Sequence, residues 1–255
     1  MNNVLSLILL ISQNTLRNDL MYNIACYMVD NITNLKNKTI KQISEECFIS
    51  TTSVIKFCQL IGFDNFSDFK RELLSNYETR KLQLFNKHQY LTVQDLMDRI
   101  QKLSINQIDQ KNFLERIDKI INLIIQKKRI NIYGAVFPLA LTQSFAEDMA
   151  VMDIPVRVFQ ISKSENHIEK REGINIIITL SGRFIETNRN EYNQICEMND
   201  ATILLSKESE YIGKVSMNIP LPQTISSDYD DIILLLILDI IKLKFDITRK
   251  LAGRV

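Results

Sequence analysis

Histidine occurs twice in the 255 residues, cysteine and proline four times each, and glycine six times. Six glycines leave no room for a glycine-rich phosphate loop of the usual kind: the stretch 132–138, IYGAVFP, has the strand-to-helix form of such a loop but one glycine. The two histidines, His88 and His167, stand in no metal-binding or catalytic pattern and read as surface residues. Cys26, Cys47, Cys58 and Cys196 show neither CxxC spacing nor a dense framework, which argues against a zinc site or a disulfide scaffold. They are expected to be reduced, small apolar core residues of a cytoplasmic protein. A net charge of +1 supplies no global field toward nucleic acid or an anionic membrane, so any DNA contact must be local.

Long apolar runs are missing as well. Residues 232–241 are interrupted by Asp239 and reach about half the ~20 residues that span a bilayer. The run 4–11 has no Lys or Arg before it and no small-residue cleavage site after it, so it reads as a packed first helix. No membrane partner is expected. With 45% hydrophobic residues the chain has ample material for a core.

Two halves differ in pattern. Up to about residue 126 the apolar spacing is helical, whereas from 129 onward β-branched runs at 130–133, 156–159, 174–179, 202–205 and 216–219 alternate with helical stretches such as 139–152 and 187–198. That alternation predicts a parallel sheet with crossover helices behind an all-α first half. The expected domains are 1–79, a helical linker 80–110, and 111–255. In the junction, Phe113, Leu114, Ile117, Ile120, Ile121 and Ile124 fall at helical spacing and mark a helix packed on the sheet. The cations of 127–129 close that helix. The last helix, about 228–248, is apolar on nearly every side and is expected to pack against the sheet and a partner subunit.

Within the first half, Thr39 and Gln42 form a capping box that starts a helix at Ile40, and Ser50 caps a second helix ending at Gly62. On the second helix Val54, Phe57, Cys58 and Ile61 share one side, and Thr52, Lys56 and Gln59 stand at i, i+4, i+7 on the other. Two helices joined by a tight turn, the second showing a hydroxyl, a cation and an amide, suit entry into a major groove. Lys36, Lys38 and Lys41 cluster where phosphate contacts would sit. Periodicity alone leaves a second reading open, an ordinary helix pair with a solvated polar face. Residues 1–80 hold eight basic and eight acidic side chains, which favours neither.

Ile43-Ser44, Ile49-Ser50, Ser53-Val54, Lys56-Phe57-Cys58, Leu60-Ile61-Gly62-Phe63, Phe66 and Phe69-Lys70 together resemble the helix-turn-helix of the RpiR family of bacterial transcriptional regulators. That family couples this module to a carboxy-terminal sugar isomerase (SIS) domain, in the order and at the lengths met here. The resemblance implies a DNA-binding regulator rather than an enzyme, working as a homo-oligomer, dimer or tetramer, on a double-stranded operator and sensing a small phosphorylated metabolite. The DNA contacts then fall on Lys38, Thr39, Lys41, Ser50, Thr51, Thr52, Ser53, Lys56 and Gln59. Lys56 replaces the family's usual Arg, so a bidentate fork becomes a point charge. Phe48 occupies a turn position that favours Gly or Asn; a left-handed backbone there would cost about 1–2 kcal/mol.

A SIS-like second half implies a five-stranded parallel sheet in the order 2-1-3-4-5, with ligands beyond the carboxyl ends of the first and third strands. The loops concerned are 134–138 and 180–187. Gly134 and Ala135 belong to the first; Thr179, Ser181, Gly182, Arg183 and Thr187 belong to the second, which resembles the Ser-x-Ser-Gly phosphate loop of phosphosugar-binding relatives. Arg183 adds a guanidinium suited to an anion. In the first loop only Gly134 remains of a Gly-x-Gly-x-Ser pattern; Val136 hinders close approach, and Pro138 removes a hydroxyl and an amide donor while suiting a first helical turn. No catalytic set, cofactor or metal is implied, and Glu147, Asp148 and Glu186 read as solvated helix positions. Three readings stay open: an effector-sensing regulator, a regulator whose α/β half is only a dimerisation scaffold, and a sugar-phosphate isomerase with a helical extension.

Overall fold

The computed structural model describes residues 4–13, 20–161, 170–198, 201–207 and 215–253. His167 lies outside the described residues. The apolar amino-terminal run forms α1 (Val4–Ser12), which buries Val4, Leu5, Ile8 and Leu9. It packs on α2 (Leu20–Asp30). A short 3-10 segment, Ile32–Asn37, leads to α3 (Ile40–Glu46) and α4 (Thr51–Leu60). Capping dictates both starts. Thr39 accepts from the Gln42 amide while Gln42 reaches back to Thr39, and Ser50 accepts from the Ser53 amide.

α5 (Phe66–Tyr90) begins at the Asn65 cap and runs 25 residues, about 37 Å at 1.5 Å per residue. It starts inside the helix-turn-helix core and ends beside the α/β half. α6 (Val93–Leu103) and α7 (Gln110–Lys127) follow. The predicted stripe of α7 is buried at Phe113, Ile117, Ile120, Ile121 and Ile124, and the helix stops where Lys128 turns left-handed at φ 53°.

Five parallel strands make one sheet in the order β2-β1-β3-β4-β5: β1 (Ile130–Gly134), β2 (Val156–Gln160), β3 (Ile174–Thr179), β4 (Thr202–Ser206) and β5 (Met217–Pro220). The order is the one expected. Strands covered on both faces read as continuous apolar runs rather than alternating ones, and β3 is buried at all six residues. Ile176 and Ile178 enter the main core, which extends without a break from Val4 to Phe245. Ile177 points to a smaller cluster on the other face with Tyr133, Phe159, Phe184, Tyr192 and Leu204.

The first expected crossover helix is divided, and the second is one helix that follows a separate short one. The stretch 139–152 takes in the end of α8 (Val136–Ala140) and all of α9 (Gln143–Val151), parted at Thr142, whose hydroxyl donates to the Leu139 carbonyl at 2.7 Å. The stretch 187–198 contains α11 (Arg189–Met198), preceded by a separate α10 (Arg183–Thr187). Asn188 parts these two and donates to the Phe184 carbonyl at 2.9 Å.

The last helix, α12 (Asp230–Leu251), is sheathed by the chain's own α6, α7 and α9, and Ile232, Leu235, Ile247 and Leu251 remain exposed along it. α1 also packs on α9, so the two halves of the chain share one core. Among the described residues no helix is long and apolar enough to cross a membrane.

Candidate functional site

The α3–α4 pair turns its apolar side inward as the spacing requires. Ile43 and Ser44 of α3 and Val54, Phe57 and Cys58 of α4 are buried. Phe57 meets Phe69 of α5 edge-on at 5.9 Å between ring centroids, which fixes the outer face of α4 relative to α5. That outer face carries Thr51, Thr52, Lys56 and Gln59, all exposed. Ser50 and Ser53 are hydrogen-bonded to each other at 2.9 Å and hold the start of the helix.

Flanking cations differ in their engagement. Lys41 is largely exposed, 3.9 Å from Glu45. Lys38 is ion-paired with Glu46, which also accepts from the Tyr27 hydroxyl at 2.6 Å. The Lys38 bond, followed by that of Tyr27, holds the Glu46 carboxyl below its usual range. Lys70 caps the preceding 3-10 segment by donating to the Lys36 and Lys38 carbonyls. Burial pushes the Cys47 thiol up to about 11 and the Cys58 thiol up to about 12, so neither is a thiolate at neutral pH.

The second candidate region lies at the carboxyl ends of β1 and β3. Gly134 pairs in register with Ile178, so the loops that follow, 134–138 and 179–187, are neighbours. Thr179 is buried beside Ser206 of β4, Ser181 and Arg183 are exposed, and Gly182 is left-handed at φ 76° at the start of α10. Thr187 is exposed at the other end of that five-residue helix. In the first loop Ala135 is exposed and extended, and Pro138 falls in the first turn of α8. Val136 and Phe137 are 58% and 61% exposed, an apolar pair where a polar cradle would stand. A Cβ on Gly134 would lie 2.7 Å from the Ile178 carbonyl oxygen, so the approach of β1 to β3 by itself demands the glycine.

Sequence reasoning missed a set of buried ions between α5, α9 and α12. Asp148 is fully buried and Glu147 nearly so, against the solvated positions expected for them. Asp148 accepts from Arg80 Nε of α5 and from Lys242 Nζ of α12, both at 2.8 Å. Lys242 also contacts Asp239 at 2.6 Å, and Asp239 is in turn 3.2 Å from Lys87 of α5. His88 is not a surface residue: its side chain is 4% exposed, with Nδ1 2.8 Å from Asp246, which also accepts from Lys250 at 2.7 Å. Burial opposes the charge on Asp246, yet the bonds from His88 and Lys250 outweigh it and hold the carboxyl well below the ordinary range. A signal was present. Asp148 shares its helical face with Phe145 and Val151, and Lys242 shares its face with Leu238 and Phe245.

Residues 12–80 match the helix-turn-helix domain of the rpiR family. No curated protein matches the chain. Solved structures with a similar course include a hypothetical protein of Methanococcus jannaschii for which a 3-hexulose-6-phosphate isomerase function is inferred. It is 18% identical over 63% of this chain and 89% of that one, with a TM-score of 0.45. Another is the NanR protein of Vibrio vulnificus complexed with ManNAc-6P, 13% identical over 94% of this chain and 90% of that one, with a TM-score of 0.39. The amino-terminal part of this chain is a helix-turn-helix domain of the rpiR family.

Proposed function

We propose that the protein is a sequence-specific DNA-binding transcriptional regulator whose α4 enters the major groove with Thr52, Lys56 and Gln59. The observation that carries the reading is the outer face of α4, capped at Ser50, locked from behind by Phe57 on Phe69, and exposed at all three positions. Gln59 offers donor and acceptor atoms to a base edge, Lys56 a point charge, and Thr52 a hydroxyl. Lys38, Thr39 and Lys41 at the start of α3, with Ser50, Thr51 and Ser53 at the start of α4, supply phosphate contacts on either side. The protein binds as a homo-oligomer, which presents two readers to a palindromic operator.

In the same proposal the α/β half responds to a phosphorylated sugar or related metabolite held by Gly134, Ala135, Thr179, Ser181, Gly182, Arg183 and Thr187. The ligand acts only through its different affinity for two orientations of the readers. α5 is suited to carry that difference, since one rigid helix bears Phe69 in the helix-turn-helix core and Arg80, Lys87 and His88 in the buried ionic set. A second reading, a scaffold without effector, draws on the first loop, where strand packing already accounts for Gly134 and an apolar pair stands exposed.

Selection of duplexes from a random library by the full-length protein tests the DNA claim. Enriched half-sites about one helical turn apart, or multiples of it, are expected; recovery without sequence enrichment would remove it. A thermal-shift screen with sugar and amino-sugar phosphates separates the two readings of the α/β half. A ligand at 100 times its Kd adds about 2.7 kcal/mol of stability, and no shift with any of them leaves the scaffold.

A further inference from the structure

A cavity of about 350 Å³ opens between α2 and the amino ends of β1, β2 and β3, at the opposite end of the sheet from the loops discussed above. Strands of five residues in β1 and β2 and six in β3, at about 3.3 Å per residue, set the two ends roughly 13–17 Å apart. One wall is Tyr22, Asn23 and Cys26 of α2; the other includes Arg129, Asn131, Arg157 and Arg171, with Glu172 at the margin. The volume is within the range of small-ligand sites.

Among the described residues, the guanidiniums of Arg129, Arg157 and Arg171 share this space with the carboxylates of Glu172 and the nearby Asp30. A single oxygen, Asp30 Oδ2, accepts from both Arg129 Nη1 at 3.1 Å and Arg157 Nη2 at 2.8 Å. Arg157 is 8% exposed, and its Nη1 is buried with no hydrogen-bond partner. Asn131, 1% exposed, donates to the Glu172 carbonyl and to Asn175 while its own Oδ1 is also unpartnered. The Arg171 guanidinium lies 4.3 Å over the Phe159 ring, which is itself stacked on Tyr133. A buried guanidinium donor without an acceptor costs more than an ordinary lost hydrogen bond. Burial brings Arg157 down to about 10, still cationic at neutral pH.

An unpaired guanidinium N–H of Arg157 on one side and the unpaired amide oxygen of Asn131 on the other, with the unpartnered Asp30 Oδ1 nearby, suit an oxyanion that still carries a proton. Guanidiniums bind tetrahedral oxyanions through parallel N–H bonds, and a protonated phosphate oxygen is a donor for Asn131. We propose that this cavity is an anion site for a phosphate group, separate from the carboxyl-end loops. Because α2 belongs to the helix-turn-helix half and the arginines to the sheet, occupancy clamps one half on the other and restrains the reader.

The test is equilibrium dialysis of the full-length protein with radiolabelled inorganic phosphate in phosphate-free buffer. Saturable binding of one phosphate per chain is expected. It should weaken about tenfold or more in Arg157→Met and in Arg129→Gln, and be unchanged in Arg99→Ala, an exposed arginine of α6. If Arg157→Met does not fold, as judged by circular dichroism, Arg129→Gln decides, since its side chain is 30% exposed. Absence of saturable binding at millimolar phosphate overturns the proposal, as does binding that survives the changes at Arg157 and Arg129. Loss in Arg183→Ala alone would overturn it too, while assigning phosphate to the effector loops.

Discussion

Phe48 stands in the turn between α3 and α4 at φ 57°, with its side chain 95% exposed. The left-handed backbone costs an L-residue about 1–2 kcal/mol, and so exposed a ring recovers little of that through packing. Phe48→Asn should therefore raise the urea midpoint, by about 0.5–1 kcal/mol of stability; a lower midpoint would mean the ring makes a contact that offsets the strain. The strain was legible in the sequence because the capped helices on either side fix where the turn must fall. Gly134 shows the opposite case. Its position at a strand end was legible, but its cause, an Ile178 carbonyl 2.7 Å from where a Cβ would sit, depends on strand order and register and so on a partner 44 residues away.

Among the elements, starts were easier to read than breaks. α3 and α4 begin where Thr39 and Ser50 cap them, and β3 occupies the predicted residues because its neighbours cover both faces. The interruptions at Thr142 and Asn188 arise from side-chain bonds to carbonyls three and four residues back, which hydrophobic spacing does not register. Glu147 and Asp148 of α9 read as solvated because that helix was considered alone; only its packing on α5 and α12 brings Arg80, Asp148 and Lys242 together. Asp148→Ala leaves Lys242 buried with Asp239 alone and should destabilise by about 3–5 kcal/mol in chemical denaturation. Asp148→Leu combined with Lys242→Met should restore a large share of it. A double variant as unstable as the single one would place the loss in packing rather than in charge.

At the scale of the molecule, one core and two ionic sets, that between α5, α9 and α12 and that of Asp30 on α2 with Arg129 and Arg157, join the helical half to the α/β half, so acid should loosen both together. Asp246 has its carboxyl lowered in the folded state. Its contribution is present above the unfolded value of about 4 and is lost as pH falls toward the folded value. Asp239 is shifted in the same direction by Lys242 and then Lys87, which outweigh its burial. Thermal melts from pH 7 to pH 3 should show stability falling below about pH 4, with a shallower fall in Asp246→Asn. An equal slope in that variant would exclude Asp246 as the source.

The central claim is that α4 reads DNA through its outer face, and fluorescence anisotropy on a selected operator duplex tests it most directly. Lys56→Ala with Gln59→Ala should weaken operator binding by at least about thirtyfold, roughly 2 kcal/mol, with an unchanged circular dichroism spectrum and oligomeric state. Operator affinity equal to that of the unaltered protein in the folded double variant would contradict it.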